Sequence, residues 1–175
     1  MFRSAAFLSL IILAAATQLS LHSEVVPHVK GHYTSHARQT VWLTPPQLNA
    51  EETSCVNGDC IAVLHFSDPT IPPIAVKSCI GGTPANLGDL DNDGLDEIGL
   101  LPEWFTSCWR NYYVYTFKHG HWQYAVPPIS THCNQWEANI KPITKDPTRK
   151  GFVKINYSAF QHDSIVVKTK SVPIK

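Results

Sequence analysis

From Thr40 onward the hydrophobic positions come in short runs rich in Val, Ile, Tyr, Phe and Trp, separated by turn-forming residues. That pattern predicts strands. The runs fall at residues 40–43, 61–66, 74–79, 97–101, 109–118, 122–126, 152–157 and 165–170. Pro45-Pro46, Pro72-Pro73 and Pro127-Pro128 punctuate the stretches between them, as expected for a residue that cannot donate to a strand ladder. Residues 47–54 have room for one helical turn, and no long amphipathic helix emerges. The expected fold class is therefore mainly β, with antiparallel strands in one or two blade-like sheets. In the run at 109–118, alternation puts Tyr113 and Tyr115 on one face and Tyr112 on the other, and at least one face is expected to meet solvent.

Two turns can be placed from their residues. Asn57-Gly58 suits the two central positions of a type I′ hairpin turn. Cys55 and Cys60 then fall opposite each other in a non-hydrogen-bonded pair, with Cα atoms roughly 4.5 Å apart, within disulfide reach. A second hairpin turns at His119-Gly120, and its arms bring Cys108 opposite residues 130–133. The expected disulfides are Cys55–Cys60 and Cys108–Cys133. The fifth cysteine, Cys79, is left as a buried thiol.

The N-terminus reads as a secretory signal over residues 1–16. Arg3 supplies the positive start, residues 5–16 are small or apolar except for Ser9, and Ala14-Ala15-Ala16 allows a cut before Thr17. A cut near Ser23 is the alternative. Twelve such residues span about 18 Å as a helix, short of a ~30 Å hydrocarbon core, which argues against a retained anchor. Cleavage would leave 175 − 16 = 159 residues with 13 basic and 14 acidic side chains. Such a balance excludes nucleic-acid binding driven by bulk charge. Export, to a periplasmic or extracellular setting, agrees with a disulfide-bonded chain. Residues 17–38 lack a sustained period and read as a flexible leader whose His28, His32 and His36 are incidental. Residues 39–175 then form a single β domain, and no second long apolar run follows that would span a membrane.

The chemistry is concentrated in one loop. Five of the 14 acidic residues lie within residues 89–97: Asp89, Asp91, Asp93, Asp96 and Glu97. Oxygen ligands at alternate positions (Asp89, Asp91, Asp93) can converge on one cation, with Gly94 allowing the sharp turn, the Leu95 carbonyl as a further ligand and Glu97 closing the site. Hard oxygen ligands on a flexible loop suit Ca²⁺ over Mg²⁺ or Zn²⁺. An EF-hand is excluded, because its twelfth position is Leu100 and a strand leaves the loop. Asp96 falls out of phase and reads as a turn-capping or solvent-facing group.

The stretch Gly88-Asp89-Leu90-Asp91-Asn92-Asp93-Gly94-Leu95-Asp96-Glu97-Ile98 resembles the calcium loop of FG-GAP/VCBS-type repeats, found in integrin α-chain propellers. The resemblance covers residues 81–102. It implies a loop between two antiparallel strands and ligand roles for Asp89, Asp91, Asp93, the Leu95 carbonyl and Glu97. Glu97 stands where those repeats usually hold Asp, and Leu100-Leu101-Pro102 replaces their Gly-Ala-Pro. The loop occurs once, and 159 residues are too few for a full propeller. The rest of the chain looks like small exported bacterial proteins.

Directly after the loop, Glu103, Trp104, Trp109 and Arg110 form a possible binding surface, since aromatic rings near Ca²⁺ can take a glycan. The same aromatics also suit a core. Two catalytic arrangements are the rival readings: Cys108 with His132 as a nucleophile pair, and Glu103 with Glu97 or Asp96 as carboxylates for glycoside hydrolysis. The expectation is a non-catalytic calcium-binding domain that binds an unidentified protein or glycan. The alternatives are a hydrolase of cell-envelope polymers and an accessory or inhibitor subunit.

Overall fold

The computed structural model describes residues 26–175; the expected signal segment and its cleavage site lie outside the described residues. The chain is mainly β and forms three antiparallel sheets. The first holds β1 (Val29–Gly31), β2 (Gln39–Thr44), β3 (Ile61–Phe66) and β4 (Ile74–Lys77), in that order. The second holds β5 (Pro84–Asn86), β6 (Ile98–Leu100), β7 (Arg110–Lys118) and β8 (His121–Tyr124), with β9 (Ile129–Thr131) also paired to β7. A short helix, α1 (Cys133–Glu137), leads to the third sheet of β10 (Ile143–Lys145), β11 (Phe152–Gln161) and β12 (Ser164–Pro173).

Three sheets, rather than one or two, give two cores, and the second sheet is common to both. Val41, Leu43, Leu64 and Val76 of the first sheet pack with Ile98, Leu100 and Tyr115 of the second. On the other side Tyr112 and Val114 pack with Ile143, Val153 and Ile155 of the third sheet. The alternation along β7 is as expected: Tyr113 and Tyr115 face one core and Tyr112 the other. Both faces of β7 are largely covered, because a sheet packs on each side, and among its residues only Asn111 is exposed. Tyr112 and Tyr115 are each only 5% exposed.

The strand before residue 40 is also part of the fold. β1 pairs with β2, and Tyr33 is fully buried, with its amide bonded to Gln39 Oε1 at 3.0 Å. Within the segment expected to be a flexible leader, β1 is therefore hydrogen-bonded into the first sheet. His28, His32 and His36 lie on no helix.

The second hairpin turns at His119-Gly120 as expected, with φ values of 52° and 80° and Lys118 paired to His121. From there the partner strand carries extra chain. Tyr115 faces Tyr124 and Tyr112 faces Ile129, so three steps on β7 match five on the other side. The two additional residues sit at the Pro127-Pro128 break, a bulge that proline tolerates. Extending the Arg110–Thr131 pairing by two residues sets Cys108 against Cys133, and that disulfide is formed. Cys55–Cys60 is formed too, across a Cα separation of 5.4 Å, but by a different local structure. Only Gly58 of the Asn57-Gly58 pair has positive φ, at 82°. The Gly58 amide donates to the Cys55 carbonyl, and Cys55 bridges to Leu48. The segment 47–54 is a hydrogen-bonded loop around Asn49, not a helical turn. Cys79 is a buried free thiol.

Candidate metal centre

The acidic loop is the connection between antiparallel neighbours β5 and β6. Its ends are clamped by two backbone bonds, Leu87 N to Glu97 O at 2.9 Å and Glu97 N to Gly88 O at 3.1 Å. Within the clamp the chain winds tightly. Asn92 and Gly94 have φ of 67° and 91°, conformations that asparagine tolerates and glycine adopts freely. The winding points backbone amides at carboxylates. Asp89 accepts from the amides of Asn92, Asp93 and Gly94, Asp91 from Asp93, and Asp93 from Leu95.

One carboxylate oxygen each from Asp89, Asp91 and Glu97 lie within 4.8 Å of one another. Oxygens coordinated to Ca²⁺ at about 2.4 Å are separated by at most about twice that distance, so the three fit one such ion. Glu97 is the centre of the arrangement. It is fully buried; its Oε2 accepts from the Leu90 amide at 2.6 Å, and its Oε1 has no hydrogen-bond partner. Burial first, and then the charges of Asp91 and Asp93, push its pKa up to about 7, against the Leu90 amide and the Thr116 hydroxyl, which pull it down. A buried carboxylate with an unused oxygen beside two further carboxylates is costly to ionise unless a cation joins it.

Asp93 is not in that cluster. Its Oδ2 is 2.5 Å from Lys118 Nζ, and the same ammonium lies 2.6 Å from Asp91 Oδ2. Partial burial works against the Asp93 carboxylate, but Lys118 and the Leu95 amide outweigh it and hold its pKa below the usual range. Asp93 would have to turn away from Lys118 to become a ligand. Lys145 adds a second contact, donating to the Asp89 carbonyl at 2.8 Å. Neither lysine is signalled by the local sequence of the loop, since both arrive from distant strands. Leu95 carries its amide to Asp93, and its carbonyl accepts no backbone hydrogen bond among the described residues.

Asp96 faces away from the cluster, as its phase implies. Its amide donates to the His32 carbonyl at 2.8 Å, and its Oδ2 accepts from the His32 amide and from Asn86 Nδ2, each at 2.9 Å. It staples the segment after β1 to the loop.

The four residues proposed for a binding surface divide between two neighbourhoods. Glu103 bridges to Gly81, and Trp104, 39% exposed, lies beside Cys60 and Lys77. Trp109 instead packs with His132 and Phe160. Arg110 pairs with Thr131 in β7, and its Nε is buried without a partner. The sulfur of Cys108 is bonded to that of Cys133, so it is not a free nucleophile for His132. Glu103 is not among the clustered carboxylates.

Two disulfides place the chain in a non-reducing environment. No helix among the described residues is long and apolar enough to cross a membrane. No protein-family model, no curated protein and no solved structure matches this chain.

Proposed function

We propose that this chain is an exported β domain whose loop 89–97 binds one Ca²⁺, and that its role is binding to a protein or glycan rather than catalysis. The observation that carries the metal reading is the Glu97 carboxylate: fully buried, with one oxygen unpartnered, beside Asp89 and Asp91. The all-oxygen donor set favours a hard cation. Asp89, Asp91 and Glu97 supply the ligands, the Leu95 carbonyl and an Asp93 turned away from Lys118 complete the set, and Lys118 balances the remaining charge from outside. Since the loop joins β5 to β6 in the central sheet, an ion there would stabilise the folded chain by mass action. The binding role is supported by what the considered catalytic pairs have become: Cys108 is spent in a disulfide and Glu103 stands outside the cluster.

The test is a thermal melt of the protein in millimolar Ca²⁺ against excess chelator, with Asp91→Ala beside it. The expected result is a rise of several degrees in wild type that the variant lacks. Equal melting in Ca²⁺ and chelator overturns the metal reading.

A further inference from the structure

Between the second and third sheets, beside Asp89 and Leu90, the chain leaves a cleft of about 650 Å³. That volume lies within the range of small-molecule sites. Tyr112 and Trp136 contribute aromatic rings whose centres are 5.6 Å apart, and Leu90, Ile140 and Ile143 add aliphatic surface. Trp136 is held in place by its Nε1 bond to Thr131 Oγ1 at 3.1 Å. The charged lining is unequal. Lys141 and Lys145 both line the cleft, and Asp89 is the one acid among the lining residues. The Asp89 carboxylate is already engaged by the amides of Asn92, Asp93 and Gly94. Lys141 makes no ion pair among the described residues. An aromatic and aliphatic interior edged by surplus positive charge complements a ligand with an apolar body and one anionic group.

We propose that this cleft binds a small amphipathic anion, its apolar body against Tyr112 and Trp136 and its carboxylate or sulfonate met by Lys141 and Lys145. The site needs no ion in the neighbouring loop, so it stands apart from the calcium reading.

The experiment uses the full chain in excess chelator, so a failed calcium reading leaves it intact. The probe is 1-anilinonaphthalene-8-sulfonate, displaced in turn by decanoate and by decanol. The expected result is one saturable site per chain, with decanoate displacing the probe roughly tenfold better than decanol. Thr144→Trp, an exposed position on the cleft lining, should remove probe binding while circular dichroism and melting stay those of wild type. Lys141→Ala, also exposed, should weaken decanoate several-fold and leave decanol unchanged, and it keeps the test decisive if Thr144→Trp fails to fold. Three results would each overturn the proposal: no saturable site, equal displacement by acid and alcohol, or decanoate affinity unmoved in Lys141→Ala.

Discussion

Lys118, at the end of β7, places its Nζ 2.6 Å from Oδ2 of Asp91 in the β5–β6 loop. The same nitrogen meets Asp93, so a side chain of the protein itself neutralises part of the acidic cluster. An ammonium and a Ca²⁺ compete for the same carboxylate charge. Removing the ammonium with Lys118→Met should therefore raise Ca²⁺ affinity roughly tenfold, about 1.4 kcal/mol, when titrated calorimetrically. In chelator the variant should melt below wild type, because the carboxylates then repel without compensation, and Ca²⁺ should restore it. A variant that loses stability and is not rescued by Ca²⁺ would make Lys118 the resident cation, with no metal site in the loop.

Glu97 gives a test of opposite sign. Its carboxylate is buried with one oxygen unpartnered, so without a metal it is a liability and with one it is a ligand. Glu97→Gln removes the buried charge and retains an acceptor for the Leu90 amide. In chelator at pH 8 it should melt at or above wild type. The Ca²⁺-dependent rise should disappear. A variant well below wild type in chelator would mean that the charge itself supports the loop, through Leu90 and its neighbours.

The sequence pattern carried the long strands and lost the short ones, for a physical reason. β3 matches its predicted limits, and β2, β4, β7 and β8 differ only near their ends, since each holds enough alternating apolar residues to register; β6, with three residues, falls inside the longer apolar run predicted at 97–101. β1, β5, β9 and β10 have three residues each, too few to show a period of two; β5 even opens with Pro84. β11 runs beyond the predicted 152–157 into an end that faces solvent, and β12 runs beyond 165–170 at Ser171–Pro173, where it pairs with Phe152–Lys154 and only Val172 reaches the second core. Phe160, in that end of β11, is 70% exposed, and antiparallel pairing continues without burial as far as the His162-Asp163 turn. In the loop, the grouping of Asp89, Asp91 and Glu97 was legible from spacing. The detachment of Asp93 was not, because its cause, Lys118, comes from another strand. The Cys55–Cys60 pairing was legible through an incorrect turn: proximity in sequence sufficed to bring the sulfurs together, whatever the hairpin geometry.

Gly99 shows why the central sheet must be thin at one point. It is buried in β6, and a Cβ added there would overlap the Tyr112 hydroxyl and lie 3.1 Å from Leu87 Cδ1. Tyr112 is itself fixed between sheets and 5% exposed, so it cannot swing aside freely. Gly99→Ala should cost about 1–3 kcal/mol by overpacking, read from urea denaturation. Combining it with Tyr112→Phe removes the nearest clashing atom and should recover part of the loss. If the double variant is no better than the sum of the two single ones, the strain lies elsewhere in β6.

Asp146 ties the chain between β10 and β11 to the last strand, and its contribution should depend on pH. Its Oδ2 accepts from Ser171 Oγ at 2.7 Å, and its Oδ1 accepts from Thr148 Oγ1 at 2.7 Å and from the Thr148 amide at 3.0 Å. The Ser171 hydroxyl first, then the Thr148 hydroxyl and amide, hold its pKa down to about 2, from an ordinary 3.8. A pKa lowered in the folded state means that the folded chain favours the carboxylate more than the unfolded chain does. The resulting stability is fully present above about pH 4 and is lost as pH falls through 2. Melting wild type and Asp146→Ala side by side from pH 7 to pH 2 should therefore give a constant gap down to about pH 4, narrowing below it. A gap that stays constant to pH 2 would show that the bonds to Ser171 and Thr148 act without the charge, and that Asp146 serves there as a neutral acceptor.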